Sequence, residues 1–178
     1  VGIASRFAPA KGLEYSIPAI ARMIGENPKI KLIVAGIGEK VSADFQLLLS
    51  KIPADNYLLI DRVHDMAAFY NSLDIFVHTP IDSTVESFGL VYVEAMATGV
   101  PCVFTLSGIA KDIAINEENC LVVDYKDEDS IYCAVKRFYN DSNMALQISN
   151  RSQLAVMDFD MKKMCSKYLS IFEMESKL

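Results

Sequence analysis

Two kinds of apolar pattern alternate along the chain. Short, continuously apolar segments occupy residues 1–5, 30–36, 57–60, 74–78, 101–105 and 120–123. Longer stretches with helical spacing of their apolar residues separate these segments. Continuous apolar runs are typical of parallel strands covered on both faces, and strand–helix alternation favours an α/β fold. The pattern therefore predicts a parallel sheet of about six strands with helices on both faces.

Apolar positions three and four residues apart predict the helices. They cover residues 11–25, 41–52, 66–72 and 88–100, and further helices finish the chain. The last helix is predicted to begin at Asp160, and its apolar stripe consists of Met161, Met164, Cys165, Tyr168, Leu169 and Phe172. We expect that stripe to pack either on this core or on a domain outside these 178 residues.

The helix predicted over residues 88–100 contains one residue that is charged at neutral pH, Glu94. A helix that is hydrophobic on all sides is expected to be buried, and a buried carboxylate is costly unless it is hydrogen-bonded or neutralised. A second carboxylate, Glu86, stands eight positions earlier. A polar ligand that contacts both is the simplest interpretation. Two alternatives remain: a salt bridge at Glu94, and Glu86 as a favourable charge near the start of the helix.

Polar and cationic residues follow the predicted strands at their carboxyl ends, where open α/β sheets bind ligands. The segments concerned are Arg6 to Gly12, Gly36-Ile-Gly38, Arg62-Val-His64 and the loop that carries Glu86 to Gly89. Arg6 and Lys11 could hold an anion, and the backbone amides of Gly89 and Leu90 would point toward it from a helix N-terminus. Glycine at position 89 would let a phosphate approach the backbone. These residues predict a site for a sugar linked to a phosphate.

Charge and composition exclude several classes of protein. The net charge of −6 and the pI of about 4.9 argue against nucleic-acid binding, and no run approaches the length of a membrane span. The four cysteines lack metal or redox spacing and are predicted to be reduced core thiols of a cytoplasmic protein.

His78 ends an apolar strand and is interpreted as a hydrogen-bonded structural group. Because a strand already begins at Val1, we expect a domain cut from a longer chain.

These motifs resemble the C-terminal, nucleotide-sugar-binding half of the retaining, GT-B type glycosyltransferases of family four (glycosyltransferase group 1). The resemblance covers nearly the whole chain and is carried by the segment from Ser5-Arg6 to Lys11-Gly12, Val34-Ala-Gly36-x-Gly38, Leu73-Asp-Ile-Phe-Val77, Glu86-Ser-Phe-Gly-Leu-x-x-x-Glu94-Ala-Met-Ala-x-Gly-x-Pro101 and Asn119-Cys-Leu-Val-Val123. It implies a Rossmann-like domain over residues 1–178, with the last helix, about residues 160–176, at its edge. The acceptor-binding N-terminal domain would be absent.

The resemblance also implies a role for each matching residue. Glu86, Arg6 and Lys11 would form the catalytic group: Glu86 would contact the donor sugar, and the two cations would bind the diphosphate. The donor-binding residues would be Glu94 at the ribose, Arg62 and Val63 against the base, the amides of Gly89 and Leu90 at the phosphates, and Ser87, Phe88 and Gly36. Family members of this kind need no essential metal, so a nucleotide-diphosphate sugar (UDP-, GDP- or ADP-linked) is the expected ligand and no cofactor is expected.

The implied function is sugar transfer to a polysaccharide or glycolipid acceptor in a bacterial cytoplasm, with peripheral membrane association through the absent half. The fragment alone is expected to be inactive. Two alternatives remain open: a nucleotide-sugar epimerase of the same fold, and a non-catalytic nucleotide-sugar-binding or interaction module.

Two Asp-x-Asp segments, beginning at Asp127 and Asp158, imitate a metal motif of the other large glycosyltransferase fold. Both precede helical patterns, so they are predicted to cap helices.

Overall fold

The computed structural model describes residues 1–38 and 42–175 and confirms an α/β fold with a six-stranded parallel sheet. The strands are β1 (Gly2–Ala4), β2 (Leu32–Ala35), β3 (Tyr57–Ile60), β4 (Phe76–His78), β5 (Cys102–Phe104) and β6 (Leu121–Val122). Their order across the sheet is β3-β2-β1-β4-β5-β6. Each strand lies within a predicted apolar run, and every pairing is parallel, so all the carboxyl ends meet at one edge.

Helices connect the strands and extend beyond the last one. They are α1 (Leu13–Glu26), α2 (Ala43–Leu49), α3 (Met66–Asn71), α4 (Leu90–Thr98), α5 (Ala110–Ile113), α6 (Glu128–Asn140), α7 (Ser142–Ala155) and α8 (Met161–Glu175). The predicted start of the second helix at residue 41 and the predicted end of the last at residue 176 lie outside the described residues. As predicted, Asp127 accepts a hydrogen bond from the backbone of Ser130 at 2.9 Å, and Asp160 accepts one from Lys162 at 2.8 Å.

Two hydrophobic clusters cover the two faces of the sheet. One joins the strands to α1, α2 and α6, with Ile17 and Phe138 among its buried side chains. The other joins them to α3, α4 and α5 and contains Tyr70, Phe76 and Tyr92. Parallel strands tend to be covered on both faces in this way, which explains their continuously apolar sequences. In residues 1–38 and 42–175, no helix is long and apolar enough to cross a membrane.

Helix α4 is not buried all round, which corrects the expectation from its composition. Tyr92, Ala95 and Met96 are fully buried against the sheet, whereas Leu90 is 64% exposed at the start of the helix. Only one face of α4 can reach the sheet, so the apolar residues on the other face remain accessible. Glu94 is partly buried between these two faces.

The cysteine prediction was half right. Cys102 and Cys120 are buried, but Cys133 and Cys165 are exposed because they lie on outward faces of α6 and α8. The predicted apolar stripe of α8 is also exposed, with Met161 at 74% and Phe172 at 66%. The first of the two expected partners, this domain's own core, therefore does not cover it.

Candidate functional site

A cleft of about 300 Å³ opens at the carboxyl edge of β1, β2 and β3. Its lining includes four of the predicted donor-site residues, namely Arg6, Gly36, Arg62 and Val63. Arg6 and Arg62 are exposed, and Val63 is half-buried against the helices on that face. The cleft therefore combines two accessible guanidinium groups and one exposed carboxylate, that of Asp61, with an apolar wall. The guanidinium groups are suited to an anionic ligand, and the apolar wall is suited to an aromatic base.

Glu86 lies beside the cation predicted to share its site. The Lys11 Nζ atom donates to Glu86 Oε1 at 2.7 Å, and the ion pair is largely shielded, with 20% and 13% of the two side chains exposed. His78 Nε2 contacts the same Oε1 atom at 3.0 Å. The hydrogen bond from His78 is the largest cause, and Lys11 a further one, of a Glu86 pKa lowered to about 2. Glu86 is therefore a carboxylate at neutral pH.

The position of His78 follows from its place at the end of β4. Its side chain is 3% exposed, and burial lowers its pKa, so the imidazole is neutral at pH 7. A carboxylate can only accept hydrogen bonds, so Nε2 carries the proton and donates it to Glu86. The imidazole lies parallel to the Phe76 ring and edge-on to the Tyr92 ring, with centroids 6.4 and 4.9 Å away. The predicted hydrogen-bonded histidine is thus confirmed.

The loop after β5 supports the segment between Glu86 and α4. The Glu86 backbone N–H donates to Ser107 Oγ at 3.0 Å, and the Ile109 N–H donates to the Phe88 carbonyl at 2.8 Å. A Cβ atom on Gly108 would lie 2.4 Å from that carbonyl oxygen and 2.9 Å from the Glu86 Cβ. Only glycine allows this close approach. The loop therefore fixes the backbone on which Glu86 is carried.

Glycine at position 89 has a structural reason in addition to the one predicted. Its φ is +83°, and a Cβ atom there would lie 2.7 Å from the Tyr92 ring. Gly89 is the N-cap of α4 and has no side chain to cap the helix. The side chains of Ser87 and Phe88, just before the helix, are exposed. The first backbone N–H groups of α4, including that of Leu90, have no capping side chain as an acceptor. Their role in phosphate binding stays a prediction.

Glu94 has a partner that the sequence did not indicate. The Tyr70 hydroxyl, on α3, donates to Glu94 Oε2 at 3.0 Å. Burial, and then the Glu94 charge, raise the Tyr70 pKa well above its ordinary value, so the phenol stays protonated. Among residues 1–38 and 42–175, Glu94 is thus held by a neutral donor and makes no salt bridge of the kind considered as an alternative.

Sequence reasoning missed Tyr70, Ser107 and Gly108, and it did not place His78 in the site. His78 carried a usable signal, because it is a polar residue at the carboxyl end of an apolar strand. Ser107 and Gly108 follow β5 in the same way. Tyr70 gave no such signal, since its partner lies on a different helix. Among residues 1–38 and 42–175, no group of three or more His, Cys, Asp or Glu side chains could hold a metal ion.

Most of the chain matches a known protein family. The family model described as glycosyl transferases group 1 matches residues 1–154. The chain is similar to the capsular polysaccharide biosynthesis glycosyltransferase CapM of Staphylococcus aureus, with 28% identity over 88% of this chain and 40% of CapM. It therefore spans less than half the length of that relative.

Solved structures show the same fold. The crystal structure of HepE from Anabaena, in complex with UDP and glucose, matches with a TM-score of 0.82 and 23% identity over 99% of this chain and 48% of HepE. The C-terminal domain of the group 1 glycosyl transferase LpcC from Francisella tularensis matches with a TM-score of 0.75 and 26% identity. That match covers 87% of this chain and 83% of the LpcC domain.

Proposed function

Because this chain belongs to the glycosyl transferases of group 1, we propose that residues 1–178 are the donor-binding domain of a retaining glycosyltransferase. The enzyme would transfer a sugar from a nucleotide-diphosphate sugar to a polysaccharide or glycolipid acceptor in a bacterial cytoplasm. The acceptor would bind to a preceding domain of the full-length enzyme. The similarity to CapM supports a polysaccharide product, and the complex of HepE with UDP and glucose supports a nucleotide-sugar donor.

One observation carries the proposal: Glu86 and Glu94 each stand four positions from Leu90, the first residue of α4, and each is held by a hydrogen-bond donor, Lys11 and Tyr70 respectively. A nucleotide sugar has the same order of groups, since its ribose and its sugar lie on either side of an anionic diphosphate. Hydroxyl groups bind well to ionised carboxylates, and phosphates bind well to helix N-termini. Glu86 would accept from the sugar, Glu94 would accept from the ribose, and the amides of Gly89 and Leu90 would donate to the diphosphate.

The reaction breaks the bond between the anomeric carbon and the diphosphate oxygen, so negative charge grows on the departing nucleotide. Arg6 and Lys11 would stabilise that charge, and the helix N-terminus would add its partial positive charge. Glu86 would orient the sugar and stabilise positive charge at its ring; it is not assigned as a nucleophile. Arg62 and Val63, in the cleft, would contact the base.

Alanine substitutions in the full-length enzyme test these roles. Lys11→Ala and Glu86→Ala should each lower kcat by at least about a hundredfold, because each removes a charged group from the transition state. Matched controls are Lys29→Ala and Glu118→Ala, which change exposed residues before β2 and β6, at the opposite edge of the sheet. Near-normal turnover by either site variant would refute the assignment.

The isolated domain provides an independent test of the proposed domain organisation. Calorimetry with UDP, GDP and ADP should detect weak binding of one of them to residues 1–178, while product analysis detects no sugar transfer. Robust transfer by this fragment would show that no separate acceptor domain is needed. Retention is checked by NMR of the full-length enzyme's product, whose anomeric configuration should equal that of the donor.

A further inference from the structure

We propose that His78 is a positioning residue for donor binding, which holds the Glu86 carboxylate so that its Oε2 atom accepts from a donor-sugar hydroxyl. This inference rests on the proposed function, because it concerns the same carboxylate. It adds a buried residue at the end of β4 to a site otherwise built from residues between the strands and α1 or α3, and from α4 and the segment before it.

The hydrogen bonds of Glu86 are unevenly divided between its two oxygens. Lys11 Nζ and His78 Nε2 both donate to Oε1, at 2.7 and 3.0 Å. Within residues 1–38 and 42–175, no side-chain or backbone donor contacts Oε2. A carboxylate has about four lone-pair sites, so Oε2 keeps its full capacity to accept from a ligand. The two donors therefore fix which oxygen is available to the sugar.

Lys11 and His78 differ in how firmly they can hold that oxygen. The ammonium group of Lys11 ends a flexible chain, and the proposed mechanism assigns it to the diphosphate. Once a diphosphate attracts Lys11, His78 is the remaining donor to Oε1. The imidazole cannot follow the ligand, because it is fully enclosed and lies against Phe76 and Tyr92.

The charge of His78 also suits this task. Its neutral ring donates one hydrogen bond and adds no positive charge that would compete with Lys11 for the diphosphate. A buried donor whose ring is fixed by packing costs little entropy to keep in place. His78 thus supplies orientation, whereas Lys11 supplies charge.

The two roles of His78, positioning Glu86 and packing in the core, are separated by two substitutions in the full-length enzyme. His78→Gln can retain a donor near the position of Nε2, whereas His78→Phe keeps an aromatic ring and loses the donor. We expect His78→Phe to lower kcat/KM by about ten- to a hundredfold, the effect of losing a hydrogen bond to a charged group. His78→Gln should recover most of that loss. Phe138→Leu, in the cluster on the other face, controls for a general loss of stability.

Binding measurements show whether His78 acts on the sugar. For the base that the wild-type protein prefers, His78→Phe should bind the nucleoside diphosphate as wild type does, and its nucleotide sugar at least about fivefold more weakly. In a Glu86→Ala background, which removes the acceptor of the His78 hydrogen bond, His78→Phe should have little further effect on kcat/KM, because its action passes through the carboxylate. If His78→Phe fails to fold, His78→Met replaces it.

The outcomes distinguish the two proposals. If wild-type protein binds no nucleotide or nucleotide sugar, the proposed function is wrong. If wild-type protein binds donor and His78→Phe retains wild-type kcat/KM, only the positioning role is overturned. Equal weakening of nucleoside diphosphate and nucleotide sugar, or additive effects with Glu86→Ala, would likewise reduce His78 to a packing residue.

Discussion

The substitution Glu86→Gln should make the stability of this domain less sensitive to acid. The Glu86 carboxylate has a pKa of about 2 in the folded protein, against an ordinary value of 4.5. A carboxyl group whose pKa is lowered by folding stabilises the folded state at pH values above its unfolded pKa. That stabilisation is lost progressively as the pH falls from about 4.5 toward 2. Glutamine does not ionise and cannot contribute it.

The magnitude follows from the two pKa values. At about 1.4 kcal/mol per pKa unit, the lowered value corresponds to about 3 kcal/mol of stabilisation at pH 7. At pH 3 the same two values leave about 1.4 kcal/mol. Solvent reaches part of the ion pair and screens it, so these energies are upper limits. We therefore expect the stability difference between wild type and Glu86→Gln to shrink by up to about 2 kcal/mol between pH 7 and pH 3.

Urea denaturation followed by far-UV circular dichroism measures the difference, since the chain contains no tryptophan for fluorescence. The free energy of unfolding is determined for both proteins at pH 7, 5, 4 and 3. Other carboxyl groups titrate in both proteins and cancel in the difference. Glu118→Gln, which changes an exposed carboxylate, should give a small difference at every pH. A wild-type minus Glu86→Gln difference that does not change with pH would contradict the argument.

Two further substitutions test the supports of the site in the full-length enzyme. Tyr70→Phe removes only the hydroxyl that donates to Glu94, so the affinity for the nucleoside diphosphate, measured by calorimetry, should fall about tenfold. Unchanged affinity would show that this hydrogen bond does not position Glu94. Gly108→Ala places a methyl group against the Phe88 carbonyl and the Glu86 Cβ, so it should lower the free energy of unfolding by about 1–3 kcal/mol. Because it also displaces Glu86, kcat should fall at least about tenfold. Wild-type turnover and stability by Gly108→Ala would show that the loop can move without cost.

The fold could be predicted from the sequence because buried parallel strands produce long apolar runs. All six predicted runs contain a strand, although β6 is only Leu121–Val122. The exposure of α4 could not be predicted, because apolar composition does not tell which residues reach the sheet. Leu90 and Met96 are equally apolar in the sequence, yet one is 64% exposed and the other is buried. The surroundings of a helix, rather than its composition, decide that difference.

The candidate site shows the same division between what local sequence determines and what packing determines. The positions of Arg6, Lys11 and Glu86 follow from the rule that ligand-binding residues follow parallel strands. The hydrogen bond between Tyr70 and Glu94 joins two helices and depends on how α3 and α4 pack. No local pattern indicates such a contact. The support of Glu86 by Ser107 also joins segments that are distant in the chain.

The order of the strands explains how these distant residues meet. Lys11 and Glu86 are 75 positions apart, yet they follow β1 and β4, which are neighbours in the sheet. Ser107 follows β5, the next strand along. The carboxylate and its partners thus depend on the central strands, whereas Arg62 follows β3 at the sheet's outer edge. Under the proposed function, base recognition lies on the peripheral strand. Substitutions there can change the preferred nucleotide without moving Glu86, because the hydrogen bonds of Glu86 come from other strands.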